Sequence, residues 1–537
     1  MKNTNALRRA LKAAAYTTTA IATATAMAAF PATATAKDAN DPGAEMSSLL
    51  SSVSKNQYPH GSSTGSSSTK PRTEKGDVDP FYNTDNVTPG APGDILRKKE
   101  VAMSGPINGV HITMPKKATK VMYTTTDMYG KATPVTGYMV EPTVPWTGPG
   151  SRPTVVIGRG TVGQGDQCAP TRNWPLDGNP DPLTTGRTVN LEGLYDGIFA
   201  AQGVRVFVTD YIGMGTPGMH TYMNRLDQAH AMLDAARAAR NLVGKDNFGK
   251  VGFYGHSQGG GASAAAIEEG SNYAPDLQIA GGYASAPPAD LNAVQKHIDG
   301  SDLVGAIGFT INGLIARYPQ LKPDLDKNLS PAGKAALEDL STSCTDEITE
   351  KYGYQRTGEW TTSGKDLDAL LKDLPAATTA MNDQKIGNGK PSAPVMIISG
   401  RNDANVEYEQ AKNLAKTWCE KGGQVVYRDD FVPPAEDYNH FIQAISGGPF
   451  GLSFLMDRFN NRPVTGTCMG FNNDGPGDGK PDLEGATHSA DSSYERSSLG
   501  SLVPSAIGDS FYEPGHKKVN KGKTKEEREA EKAKKND

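Results

Sequence analysis

Gly255-His256-Ser257-Gln258-Gly259 is the stretch of this 537-residue chain best suited to covalent chemistry. A serine hydroxyl becomes a nucleophile when a base takes its proton. The apolar run Val251-Gly252-Phe253-Tyr254 ahead of it reads as a strand, and the small, Ala-rich residues 259–269 behind it read as a helix. A serine held in a sharp strand-to-helix turn has a strained backbone and an exposed hydroxyl, and the backbone N–H of the next residue, Gln258, faces the same point. Small residues two before and two after let the strand and helix approach. The competing reading is a glycine-rich turn around a buried serine, and the flanking strand and helix argue against it.

Such a serine needs a base and an acid, in the chain order serine, acid, histidine. Nine histidines are present, and His440, His488 and His516 follow the serine with an acid-bearing strand between. His516 borders a basic tail and His488 lies in a polar Gly/Asp/Ser stretch. His440 stands in Asp437-Tyr438-Asn439-His440-Phe441, shortly after a strand signal at 424–427, where a base on a loop beyond the last strand belongs. Asp403 closes Ser399-Gly400-Arg401-Asn402-Asp403 directly behind the apolar run 395–398, and is the candidate to orient His440 and stabilise its imidazolium. Glu407, Asp429 and Asp437 are its rivals; Asp437 is too near His440 in sequence for the usual arrangement. A second oxyanion donor beside the N–H of Gln258 is expected in the loop Gly158–Cys168, from Thr161 or a neighbour. The plain alternative there is a flexible glycine-rich loop.

These residues need a scaffold, and the chain supplies alternating strand and helix signals. Short apolar or β-branched runs stand at 155–157, 204–208, 251–254, 279–284, 395–398 and 424–427. Arg225 to Leu242 places Leu226, Ala229, Met232, Leu233, Ala236 and Ala239 at helical spacing. This alternation predicts the α/β class, a mostly parallel central sheet with helices on both faces. Between about 287 and 391 no strand signal stands; helical patches such as Leu303–Ile315 and proline breaks predict a large helical cap over the site. The apolar segment 303–315 would line an acyl channel, touch a lipid surface transiently, or simply form cap core.

Composition bounds the rest. A formal net charge of −5 implies no broad basic surface, so no nucleic-acid partner is expected. Lys2, Arg8, Arg9 and Lys12, a weakly apolar Ala/Thr-rich stretch and Ala34-Thr35-Ala36 read as an export signal over 1–36, cut after Ala36. Threonines interrupt that stretch too often for a membrane anchor. Residues 37–78 read as a Ser/Gly-rich disordered linker, 79–515 as one domain with its cap insertion, and 516–537 as a charged disordered tail. Four cysteines, Cys168, Cys344, Cys419 and Cys468, suggest two disulfides in an exported protein, with three pairings open. No metal-ligand spacing is present. Residues 473–482 alternate oxygen side chains with glycines but lack a full calcium-loop pattern, and read as an acidic surface turn.

Taken together, Gly165-Asp166-Gln167-Cys168-Ala169-Pro170, Gly213-Met214-Gly215-Thr216-Pro217, the turn at 254–259, Ser399–Asp403 and Asn439-His440 resemble the secretory lipase family, the α/β-hydrolase group that contains the fungal lipase A enzymes. The resemblance covers roughly residues 80–470. It implies Ser257, Asp403 and His440 as a triad, a large helical cap, and activity on acylglycerols or simpler esters; the triad chemistry itself needs no cofactor. It also implies the pairs Cys168–Cys344 and Cys419–Cys468. The expectation is a secreted carboxylic ester hydrolase, a triacylglycerol lipase, with a lipid ester as its partner. Two alternatives stand beside it: a cell-envelope acyltransferase that moves an acyl chain to a carbohydrate hydroxyl, and a non-catalytic envelope-binding protein.

Overall fold

A computed structural model describes residues 79–104, 114–176, 191–430, 432, 434 and 439–468. The expected export signal, linker, tail and acidic turn, together with His488, His516 and Asp437, lie outside the described residues.

The frame is a nine-stranded sheet in the order β1-β2-β3-β5-β4-β6-β7-β8-β9. Its strands are β1 (Ile95–Ala102), β2 (Lys117–Thr126), β3 (Ala132–Val140), β4 (Thr154–Gly158), β5 (Arg205–Thr209), β6 (Val251–His256), β7 (Ile279–Ser285), β8 (Val395–Gly400) and β9 (Val425–Asp430). From β5 through β9 every neighbouring pair is parallel, whereas β1, β2 and β3 form an antiparallel meander that joins the parallel part through β5. The sequence reading found the parallel strands and missed this meander.

Period-two alternation sorts each strand between two cores. Val156, Phe207, Phe253 and Ile397 face α2 (Arg225–Val243), α3 (Gln258–Tyr273) and α11 (Tyr408–Glu420). Val155, Ile157, Val208, Tyr254 and Ile398 face α1 (Leu194–Ala201) and α13 (Gly448–Phe459) on the other side. Helix α2 starts where the Asn224 side chain accepts from the N–H of Asp227, and it stops at Gly244, whose φ is 84°. Its buried alanines, six of them from Ala229 to Ala239, leave no bulk between helix and sheet.

Between β7 and β8 the chain forms seven helices: α4 (Leu291–Ile298), α5 (Gly305–Arg317), α6 (Lys322–Asn328), α7 (Pro331–Leu340), α8 (Thr345–Tyr352), α9 (Leu367–Lys372) and α10 (Pro375–Asp383). They share an apolar core of their own, built from residues such as Leu303, Phe309, Leu340 and Ile348. Tyr222 and Met223, on the loop from β5 to α2, pack into that core and join it to the sheet unit. Helix α12 (Asn439–Ser446) follows β9 and leads into α13.

Disulfides link Cys168 to Cys344 and Cys419 to Cys468. The first ties the loop after β4 to the start of α8, beside a backbone bridge from Gly163 to Cys344. The second ties the end of α11 to the segment that follows α13.

Candidate active site

Ser257 occupies the turn between β6 and α3 with φ 57° and ψ −123°. A side chain at positive φ is strained and persists only where its surroundings fix it. Here the N–H of Ser257 donates to Ser285 O on β7, and Ser257 O accepts from the N–H of Gly261. The flanking glycines have no room for a side chain. A Cβ on Gly259 would stand 1.9 Å from Gly158 O, and one on Gly255 would stand 2.2 Å from Gly259 O. Helix α3 therefore packs directly against β4, and the serine projects at the C-terminal ends of the parallel strands, where open α/β sheets place their sites.

His440 bridges Ser257 and Asp403. Its Nε2 lies 2.8 Å from Ser257 Oγ and its Nδ1 2.8 Å from Asp403 Oδ2. An ionised carboxylate only accepts, so Nδ1 carries the proton toward Asp403 and Nε2 is left to receive the one from the serine. Asp403 stands in the turn after β8, where its Oδ1 accepts from the N–H groups of Asn405 and Val406 at 2.8 and 2.9 Å. All three side chains are buried. Burial pushes the His440 imidazole toward its neutral form, but the charge and hydrogen bond of Asp403 outweigh it, aided by Asp302 and Glu192, and its pKa is raised above the ordinary histidine value.

The rival acids are engaged elsewhere. Glu407 caps α11 by accepting from the N–H groups of Glu409 and Gln410, and Asp429 pairs with Arg401 at 2.8 Å.

The two residues expected to hold an oxyanion, Gln258 and Thr161, are equally constrained. Gln258 opens α3, and the first N–H groups of a helix have no partner within it. Its side chain is locked by a 3.0 Å bond from Nε2 to His220 Nε2. Thr161 borders the same cavity; its Oγ1 lies 2.7 Å from Tyr222 OH, and its carbonyl accepts from Thr345 Oγ1 on α8 at 2.9 Å. Just before it, Arg159 is 2 % exposed, with Nη2 2.7 Å from both carboxylate oxygens of Asp196 and Nη1 donating to Glu192 O. The N–H of Gly160 donates to Glu192 Oε2 at 2.7 Å. These anchors escaped the sequence reading, although a charged residue directly behind the buried strand β4 was a signal that something must pair with it.

A second network, also unread from sequence, stands behind the histidine. His256 Nδ1 hydrogen-bonds Ser285 Oγ at 2.9 Å, and Gln443 Nε2 on α12 donates to the same oxygen at 3.2 Å. The His256 and His440 rings stand 4.6 Å apart. Burial, and next the neighbouring His440, hold the His256 imidazole well below the usual histidine range, so it stays neutral.

Ser257 and His440 open on a cavity of about 30 Å³, roofed by Leu291, Ile298, Leu303 and Ile307 of the cap. Ser257, His440 and Asp403 thus form one hydrogen-bonded line under an apolar roof, an arrangement that could serve as nucleophile, base and acid.

A family model described as secretory lipase matches residues 185–467. A probable inactive lipase of Mycobacterium tuberculosis is 27% identical over 398 residues, which span 72% of this chain and 83% of that protein. A secreted triacylglycerol lipase of Malassezia globosa is 25% identical over 403 residues, 74% of this chain and 84% of the other. Among solved structures, Candida antarctica lipase A in its closed state matches with a TM-score of 0.60 at 20% identity, over 72% of this chain and 87% of that one. A rice cell wall degrading esterase from Xanthomonas oryzae matches at 0.57 and 19% identity, over 69% and 100%. Those two likenesses show the fold, a central sheet of the α/β-hydrolase kind. With a family match over more than half of its length, the chain belongs to the secretory lipase family.

Proposed function

We propose that this protein is a secreted carboxylic ester hydrolase acting on acylglycerols, a triacylglycerol lipase, through an acyl-enzyme at Ser257. The observation that carries the reading is His440 within 2.8 Å of both Ser257 Oγ and Asp403 Oδ2. His440 takes the serine proton as Oγ attacks the ester carbonyl, and returns it to the leaving alcohol. Asp403 holds the tautomer and stabilises the imidazolium. The N–H groups of Gln258 and Thr161 receive the developing oxyanion. Water then enters by the same route and releases the acid. The cap excludes bulk water, and its apolar helices α4 and α5 meet the acyl chain or a lipid surface. Export follows from the signal over 1–36, with the mature chain starting at Lys37.

A non-catalytic reading has one observation in its favour, the relative named as a probable inactive lipase. An ester series from short to long acyl chains, run with wild type and Ser257→Ala, separates the two. Turnover that extends to long chains and vanishes in the variant supports the lipase. Equal rates in both proteins remove Ser257 from the mechanism. No turnover and no labelling by a fluorophosphonate favour the non-catalytic protein.

A further inference from the structure

Two neighbouring residues of the loop after β4 are held by one partner. Glu192 is buried in a single 3₁₀ turn, Leu191–Gly193, just ahead of α1. Its carbonyl accepts from Arg159 Nη1 and its Oε2 from the N–H of Gly160, both at 2.7 Å. The next residue is Thr161, which borders the cavity with Ser257 and His440. Gly160 has little room on either side. A Cβ there would stand 3.1 Å from Glu192 Oε1 and 3.4 Å from the carbonyl oxygen of His256, the residue before Ser257. The loop thus runs between the Glu192 carboxylate and the end of the strand that leads into the serine turn.

A buried carboxylate costs free energy unless it is paired. Its bond to a backbone N–H is charge-assisted, and such bonds are roughly twice as strong as neutral ones. A peptide gripped in this way cannot tilt freely, and the peptide that carries the N–H of Thr161 is the next along the chain. An oxyanion donor is most useful when it is fixed before the charge develops. The same carboxylate is felt at the histidine. Burial lowers the pKa of His440, whereas Asp403, Asp302 of the cap and Glu192 raise it, and His256 at the end of β6 stays neutral.

We infer that Glu192 is a positioning residue of the esterase site: its carboxylate holds the loop after β4 so that the N–H of Thr161 is aimed at the oxyanion formed when Ser257 attacks. This rests on the reading of Ser257 as an ester-cleaving nucleophile and of Thr161 as an oxyanion donor.

Glu192→Asp and Glu192→Gln separate the grip from the charge. Aspartate keeps the charge but falls one methylene short of Gly160. Glutamine keeps the length and an oxygen acceptor but loses the charge. Both are compared with wild type on p-nitrophenyl butyrate in mixed detergent micelles across a range of pH, with Ser257→Ala as the blank. Inhibition by an alkylboronic acid, whose adduct with Ser257 is tetrahedral, is measured beside turnover. Glu192→Asp should lower kcat about tenfold with little change in KM, and weaken the boronic acid by a similar factor, because a misaimed donor fails the tetrahedral species and not the ground state. Its acidic limb should stay in place. Glu192→Gln should lose less kcat, and its acidic limb should move to lower pH, since the base works neutral and one charge that raises its pKa is gone. A merely structural glutamate would lower the urea midpoint of both variants and leave kcat, boronic acid affinity and limb unchanged in the folded enzyme; that result overturns the inference and spares the esterase reading. A kcat that falls as far in the glutamine variant as in the aspartate one assigns the effect to charge and also overturns the positioning role. Turnover that survives in Ser257→Ala, or none in wild type, overturns the esterase reading and the inference with it.

Discussion

His440 Nε2 stands 2.8 Å from Ser257 Oγ, although 183 residues separate the two in the chain. Neither reaches the other by local structure. Helix α12 presents the histidine and the turn after β6 presents the serine, and Ser285 joins the two, its carbonyl accepting from the N–H of Ser257 and its Oγ from Gln443 Nε2 on α12.

Ser257→Ala should therefore lower ester turnover by about 10⁴-fold or more and abolish labelling by a fluorophosphonate. The side chain lost is small, so the midpoint of urea unfolding should stay close to that of wild type. A large drop in that midpoint would mean that the loss of rate came from the fold.

Asp403→Asn should lower kcat by about 10⁴-fold, because the amide no longer selects the tautomer that leaves Nε2 free. It should also shift the pH profile. As the proposed base His440 would work in its neutral form, so activity should be present above its folded pKa and lost as pH falls through it. In wild type that pKa is raised, mainly by Asp403 acting against burial, so the acidic limb of kcat/KM should lie above the ordinary histidine value of about 6.5. Without the carboxylate, burial dominates and the limb should move down. A limb that stays in place would assign it to another group.

The three side chains that meet were legible because each stands in a local sequence pattern. Gly255 to Gly259, the turn at 399–403 and the loop before His440 each follow a strand that its apolar run betrays. The antiparallel meander was not. Strand β2 begins Lys117-Ala118-Thr119-Lys120 and becomes a strand through its pairing with β1 and β3, which no short window reveals. Likewise Arg159 and Asp196 are 37 residues apart with no periodicity to link them.

Arg159→Met should cost about 3–5 kcal/mol of stability, since it leaves the Asp196 carboxylate buried without its counter-charge. The double change Arg159→Met with Asp196→Leu should recover much of that loss, because an apolar pair of similar volume needs no desolvated charge. Urea unfolding of the two variants checks the sign. Equal destabilisation in both would show that the pair is not coupled.

The two disulfides should separate in their effect on activity. In the chain-entropy account, closing 176 residues between Cys168 and Cys344 restricts the unfolded chain by about 5 kcal/mol, and closing 49 between Cys419 and Cys468 by about 4 kcal/mol. Replacing either pair by serines should thus lower stability. Only the first pair ties the loop of Thr161 to α8, so only its loss should also reduce kcat, measured where both variants remain folded. An equal fall in kcat for both would argue against a role for that tether.

The closed roof sets the last expectation. A cavity of about 30 Å³ has room for little more than a water molecule, whereas sites that enclose a drug-sized ligand measure roughly 300–1,000 Å³. An acyl chain must therefore displace α4 or α5, and Leu291, Ile298, Leu303 and Ile307 would come out into the solvent. Exposing apolar surface costs about 25 cal/mol per Å² in water, and a lipid surface removes that cost. Turnover of one ester should then rise more steeply once its concentration passes the solubility limit and droplets form. Replacing Leu303 and Ile307 together by serine should weaken both the steep rise and the stability of the closed cap. A rate that saturates smoothly through the solubility limit would mean that the cap opens without a surface.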